Sequence, residues 1–436
     1  MITTGRPHTK RAKLISVTNM SSDEEEVVVP ILWSLLLDIE KNEKQKRMWV
    51  HPLNEKRTTN NLIKNFLREL RNDHLKFKNF TRVSPETFDY ILNIISEEIQ
   101  KADTNFRKSI KPDEQLLVAF YLASGERFQR LHYHFRLGAT TIGIIVDSVC
   151  SAIWKLLSPI YLPSPKTEDW IKIANDFSEI WNFPNCVGAI DGKHISIICP
   201  PGAGSEYYNY KGYHSIVLQA VVNAHAKFVV IDVGDYGRSS DSGIFKESLF
   251  GKKLINNKLN LPAPKKIDQH INEDFPFVFV GDEAYPLLPN LMRPFPRRQL
   301  TNEKRIYNYR LSRARRIVEC AFGIMVKRFN VLENKMLVGP EKATTITRAI
   351  CVLHNLIMTR EVNLAEIHNE IENNHYQTEI RSEANIVHHN RSSIAAIEQR
   401  NKFMDFFNSE NGSVPWQDRY LLKIKKVAKL MKNLPQ

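Results

Sequence analysis

Apolar positions recur every three or four residues in "SPETFDYILNIISEEIQ", which places Phe88, Ile91, Ile94, Ile95 and Ile99 on one side of a helix. Ser84 as N-cap, Pro85 at the first helical position and Glu86 in the first turn signal where it starts. "KPDEQLLVAFYLASG" predicts a second helix, ended by Gly125. "RFQRLHYHFRLGATTIGIIVDSVCSAIWKLL" holds two helical stretches parted by Leu137-Gly138, with Thr140 or Thr141 as cap. That spacing fits a helix-turn-helix, and equally an αα-hairpin within a bundle. The helical period persists over 30–165, and Pro159, Pro163 and Pro165 mark a break.

One more helical piece, "TEDWIKIANDFSEIW", precedes a change of period. "VGAIDGKHISII", "HSIVLQAVVNA" and "KFVVIDVGDYG" are three strand candidates in a row. They are separated by the Gly/Pro/Tyr-rich "CPPGAGSEYYNYKGY" and a short "HA" turn. A helical "SGIFKESLFGKKL", a strand "FPFVFVGDEAY" and a helix "NYRLSRARRIVECAFGIMVKRF" follow. In that last helix Leu311, Ala314, Val318, Ala321, Phe322, Met325 and Phe329 share a face. The order predicts a mixed α/β domain at 166–360 behind an all-α region at 30–165. Residues 1–29, with the acidic run "SSDEEE", read as a disordered tail. Residues 361–436 read as a largely disordered or accessory C-terminal tail carrying the island "FFNSENGSVPWQDRY".

Composition narrows the class. Of 436 residues, 42% are hydrophobic and 25% charged, as in globular proteins. There is no run of eighteen apolar residues, and "MITTGRPHTKRAK" lacks the apolar core of a signal peptide, so an intracellular protein without a membrane span is expected. Five cysteines without a C-x-x-C pair argue against a zinc site or a disulfide framework. Lys and Arg number 61 against 48 Asp and Glu, a net charge of +13 that favours a polyanionic partner. The cations cluster in "KNEKQKRMWVHPLNEKR", "RPFPRRQLTNEKRIYNYRLSRARR" and "KIKKVAKLMK", two of them interleaved with aromatics.

Four acidic residues interrupt this pattern. Asp191 stands inside an apolar strand, where a carboxylate is costly unless paired or metal-bound. Alone it reads as well as a surface Asp opening a "DG" turn. Asp282 follows another apolar run, with Pro286 and Pro289 behind it. Glu319, one place off the helical stripe, reads alone as a solvated partner of Arg315 or Arg316. Asp241, in "GRSSDSGIF", reads alone as an N-cap. Together, two strand aspartates and a later helical glutamate supply the hard oxygen donors that a pair of Mg2+ or Mn2+ ions needs for phosphodiester chemistry. A small-molecule metallohydrolase fits the carboxylates too, but leaves the basic clusters without a purpose.

"GAIDGKHI", "GRSSDSGIF", "GDEAYPL", "NYRLSRARRIVECAFG" and "LHNLI", in that order, resemble the PIF/Harbinger superfamily of DDE transposases and their domesticated nuclease-like relatives. The resemblance covers about 45–360, and "GSVPWQDR" extends it. It implies an RNase H-like DDE catalytic core at 166–360 and a helix-turn-helix-like region at 30–165. It implies catalytic roles for Asp191, Asp282 and Glu319, and divalent-metal binding by these three with Asp241. It further implies DNA as partner, a separate Myb/SANT-like DNA-binding protein, self-association, and the nucleus, with the cytoplasm as second compartment. The rival class is a domesticated, catalytically silent DNA-binding adaptor.

Overall fold

The helical period of the first half becomes α1 (Leu62–Arg71), α2 (His74–Thr81), α3 (Pro85–Ile99), α4 (Pro112–Ala123), α5 (Phe128–Phe135) and α6 (Ala139–Tyr161). α3 starts where its signals lie: Ser84 Oγ accepts from the Thr87 amide, and Phe88, Ile91, Ile95 and Ile99 are buried. Between α5 and α6, Arg136 takes a left-handed φ of 50°. Gly138 is the N-cap of α6, in place of the threonines that the sequence offered. Pro159 does not end α6 but sits in its last turn, where the missing amide costs one hydrogen bond near the helix end. The computed structural model describes residues 62–419, apart from 106, 107, 271, 297, 299 and 363–392, together with 422. The acidic tail and the basic runs at 41–57 and 423–432 lie outside the described residues.

After α7 (Thr167–Trp181) come β1 (Cys186–Ser196), β2 (Ser215–Val222) and β3 (Phe228–Tyr236). The expected single helix after β3 is two, α8 (Asp241–Glu247) and α9 (Leu249–Ile255), parted at Ser248, whose hydroxyl caps the second. β4 (Val278–Val280) and β5 (Leu291–Met292) complete one sheet in the order β3-β2-β1-β4-β5. β1, β2 and β3 pair antiparallel, whereas β4 runs parallel to β1 and β5 parallel to β4. β2 is buried along its whole length, including Gln219 in the middle of its apolar run.

Two long helices, α10 (Asn302–Arg328) and α11 (Pro340–Arg360), lie on this sheet, α10 against β1, β2 and β4, and α11 against β2 and β3. α11 also packs along α6, joining the helical region to the sheet. α6 is long and apolar enough to cross a bilayer by length and composition. Its Ile142, Ile145, Val146, Val149, Ile153 and Leu157 are instead buried in the core, where it meets α3, α4 and α11. Within 361–436, α12 (Ile394–Asn408) packs on α10, with Phe403 and Phe407 against Phe183 and with Phe403 and Phe406 against Phe275. The "GSVPWQDR" island is tied down by buried Arg310, which donates to Gly412 O (2.9 Å) and Gln417 Oε1 (3.2 Å).

The "LHNLI" stretch is a clasp. Asn355 is 2% exposed; its Oδ1 accepts from the Phe228 amide (2.8 Å), and its Nδ2 donates to Phe228 O and Tyr161 O (2.7 Å each). One side chain thus ties the start of β3 to the end of α6. Asn355→Ala strands three buried backbone groups and should lower the unfolding free energy by about 3 kcal/mol, read as a lower urea midpoint at unchanged m-value. A change below about 0.5 kcal/mol would show the clasp to be redundant.

Candidate active site

The site begins where the sheet opens. β1 and β4 are paired up to Ala189↔Val280, and the ladder stops there. Asp191 and Asp282 each stand two residues further along, so alternation turns both side chains to the same side of neighbouring chains. Asp282 lies just beyond β4 and not within it; its Oδ1 accepts from the Ala284 amide (2.9 Å), which turns the chain away. Burial pushes the Asp191 carboxyl up to about 7; Arg315 opposes the rise, and Asp282 and Glu319 add to it.

α10 supplies the counter-charge. Arg315 and Glu319 are one turn apart and paired at 2.5 Å, with Glu319's side chain 53% exposed and Arg315's 21%. Burial pulls the Arg315 guanidinium down, but Asp191, Glu319 and Asp282 outweigh it and hold it above its ordinary value. Its Nε is buried and has no hydrogen-bond partner. The ion pair that Glu319 alone suggested is present, and the same arginine carries it to the two aspartates.

Asp241 arrives from across β1. It is not the N-cap of α8; Ser240 is, accepting from the Gly243 amide. A Cβ on Gly192 would collide with the Asp241 carboxylate, standing 3.1 Å from its Cγ. "DG" is therefore no turn here: β1 runs straight through, and Gly192 leaves room for an incoming carboxylate. Because Gly192 and Asp191 face opposite ways, Asp241 and Asp191 flank the strand, and Asp282 is the neighbour common to both. Burial and then Asp282 push the Asp241 carboxyl up to about 6, against the pull of Lys211. Gln219, cross-strand from Gly192, donates to Asp241 O (3.2 Å) and to the Tyr285 hydroxyl (3.3 Å). Tyr285 is fully buried, and burial with Asp241, Asp191 and Asp282 drives its phenol far up, so it stays protonated.

Among the described residues no three His, Cys, Asp or Glu side chains form a ready-made metal cage. The donor set still suits a hard divalent cation: every ligand candidate is a carboxylate, and burial drives two of them toward protonation, with Asp282 adding to it. Arg315, Tyr285, Gln219 and Lys211 escaped notice as site residues in the sequence. Only the repeated tyrosines and the run "SRARR" hinted at them.

The basic run at 293–316 is partly spent on the fold. Arg293 donates to Tyr285 O (3.2 Å), Arg310 is 2% exposed and lies over the Phe407 ring, and Arg313 lies over Trp416. Lys304 and Arg400 flank Phe295 at 5.4 and 4.0 Å, and with Arg298 they line a cleft between the start of α10 and α12.

Residues 190–355, which hold all four carboxylates, match the DDE superfamily endonuclease family. The chain is 27% identical over 293 residues, 65% of itself and 72% of the relative, to "Antagonist of like heterochromatin protein 1" of Arabidopsis thaliana. It is 23% identical over 272 residues (61% and 73%) to the putative nuclease HARBI1 of Homo sapiens. It is 24% identical over 267 residues (60% and 86%) to the probable transposase for insertion sequence element IS702 of Microchaete diplosiphon. No solved structure matches the chain.

Without metal, Asp191 titrates near 7, above an unfolded value near 3.9. The folded state then holds the proton more tightly. The stability this adds is complete below about pH 3.9 and lost as the pH rises to about 7. Asp191→Asn escapes that loss. In EDTA its urea stability relative to wild type should therefore climb between pH 4 and 8, by a few kcal/mol. Parallel pH profiles for the two proteins would mean that the carboxylate is already compensated.

Proposed function

Because this chain is a member of the Harbinger-derived family of DDE transposases and nucleases, we propose that it is a divalent-metal-dependent DNA nuclease or transposase. It would cut phosphodiester bonds at transposon ends, leaving a 3′-hydroxyl able to attack target DNA. The observation that carries this reading is the register that sets Asp191 beside Asp282 where β1 and β4 part, with Glu319 on one side and Asp241 on the other. The sheet order β3-β2-β1-β4-β5, with β2 alone antiparallel to both neighbours, supports an RNase H-like core at 166–360. The helices α1–α6 and α12, the last as a buttress of α10, would be accessory to it.

Asp191, Asp282 and Glu319 would hold Mg2+ or Mn2+, with Asp241 reaching Asp282 from the other side of β1, and the ion when bound supplies an ionised water at neutral pH and shields the leaving oxygen. Arg315 pairs with Glu319 and neutralises part of the charge of the two aspartates. Tyr285 and Gln219 brace the segment carrying Asp241 from beneath. Lys193, two residues after Asp191, and Lys211 offset the acids where a phosphodiester would enter. Lys304, Arg298 and Arg400 offer a second phosphate contact at the far end of α10. Work on DNA implies the nucleus. A Myb/SANT-like partner and self-association rest on the resemblance alone and are not part of the proposal.

The second reading, a catalytically silent DNA-binding adaptor, is favoured by the Arg315–Glu319 pair, which already engages one of the four acids. One relative is likewise named for antagonism and not for cleavage. Strand cleavage of element-end duplexes in Mg2+ or Mn2+ separates the two. Asp191→Asn and Asp282→Asn each keep size and hydrogen-bonding capacity but remove the charge, so cleavage should fall by about a thousandfold or more while folding persists. Undiminished cleavage in either variant sinks the nuclease reading. DNA binding by the wild type without any cleavage selects the adaptor.

A further inference from the structure

The connection between β1 and β2, residues 197–214, is built around an exposed aromatic tip that the proposed reaction does not use. Tyr210 is 78% exposed, Tyr208 49% and nearby Tyr236 43%. Single exposed apolar residues are ordinary, but this tip is held in place. Buried Asn209 accepts at Oδ1 from the Lys211 (3.0 Å) and Tyr213 (3.3 Å) amides and donates to Ser215 Oγ (2.8 Å). Gly212 closes the turn at φ +84°, donating to Asn209 O (3.1 Å). Tyr208 and His214 bridge its base, and the Ser215 amide donates to Tyr207 O (2.8 Å).

The same base is fastened to the segment carrying Asp241. The Arg238 amide donates to Glu206 O (3.2 Å), and a Cβ on Gly237 would run into Ser215 and Tyr207. On the other side the Tyr210 ring meets His194 of β1 at 5.5 Å, two residues after Gly192 and so on the strand face that Gly192 opens to Asp241. Lys211 Nζ lies 5.4 Å from the Tyr210 ring centre. A rigid aromatic face with a cation on it, fixed to β1 and to the segment carrying Asp241, is suited to a flat, uncharged ring joined to a phosphate.

We propose that Tyr210, with Lys211, is a stacking platform for one unpaired base of the DNA strand entering the carboxylate cleft. This rests on DNA being the substrate. A paired base offers no free face, so the platform favours DNA that is frayed or opened at the cut. The nearby cations Lys193 and Lys211 favour a nucleotide over a protein partner.

The test uses the full chain in EDTA and three probes of one sequence: duplex, duplex with a three-nucleotide bubble carrying 2-aminopurine, and single strand. Wild type should bind the bubble roughly tenfold tighter than the duplex and quench the 2-aminopurine. Tyr210→Ala should lose both the preference and the quenching, and Tyr210→Phe, which keeps the ring, should retain both. Binding by wild type without preference or quenching overturns this inference alone, whatever the cleavage assay gives. So does an undiminished preference in Tyr210→Ala, which would leave the tyrosines to a protein partner. Failure of wild type to bind any probe overturns the DNA reading and this inference with it.

Discussion

Everything around the site answers one constraint: two carboxylates are held side by side on parallel neighbours inside a largely apolar sheet. Strands about 4.8 Å apart leave two like charges with a repulsion of a few kcal/mol even at an effective dielectric near 20. Burial adds to the cost for Asp191. Arg315 rises from α10 to meet it, and its own burial is tolerable only because three acids face it. Asp241 can approach only because position 192 has no side chain. An acidic pocket so arranged stores free energy that the apolar core, from β2 to α6 and α11, has to offset.

Much of the fold could be read from local chemistry. Ser84 and Pro85 placed α3 because a capping hydroxyl and a fixed φ act within one turn. The three strands after 185 followed from β-branched runs, and the α10 stripe from its spacing. The phenylalanines of α12, at 403, 406 and 407, carry the same i, i+3, i+4 signal, yet the polar residues around them hid it. β5 was invisible: two residues have no periodicity, and only β4 beside them makes them a strand.

The site was legible as four residues but not as a shape. Which acids meet depends on a parallel register between positions 189 and 280, and nothing local encodes a pairing over that distance. "SSDSG" offers four residues able to cap a helix, and the hydroxyl of Ser240 taking that role is what frees the Asp241 carboxylate. The charge count misled in the other direction. Arg293, Arg310 and Arg313 were counted toward a polyanion, but their guanidiniums are directed at backbone carbonyls and aromatic rings. A basic sequence overstates a basic surface whenever guanidinium groups serve as internal donors.

The Arg315–Glu319 pair also explains how one geometry accommodates both functional readings. Without metal, the arginine is the cation that makes Asp191 and Asp282 bearable, and Glu319 anchors it. A divalent ion binding the same acids would compete with Arg315 for them, so its affinity would be the difference between two cation–carboxylate arrangements and not the strength of one. Were a divalent ion to displace the arginine, Asp191, Asp282 and Glu319 would be free to hold it, and Arg315 would remain as a cation beside a phosphodiester. Were the arginine to prevail, the same geometry would suit the silent adaptor instead. Loss of activity in a domesticated copy therefore needs no loss of a carboxylate; a modest strengthening of this one ion pair suffices.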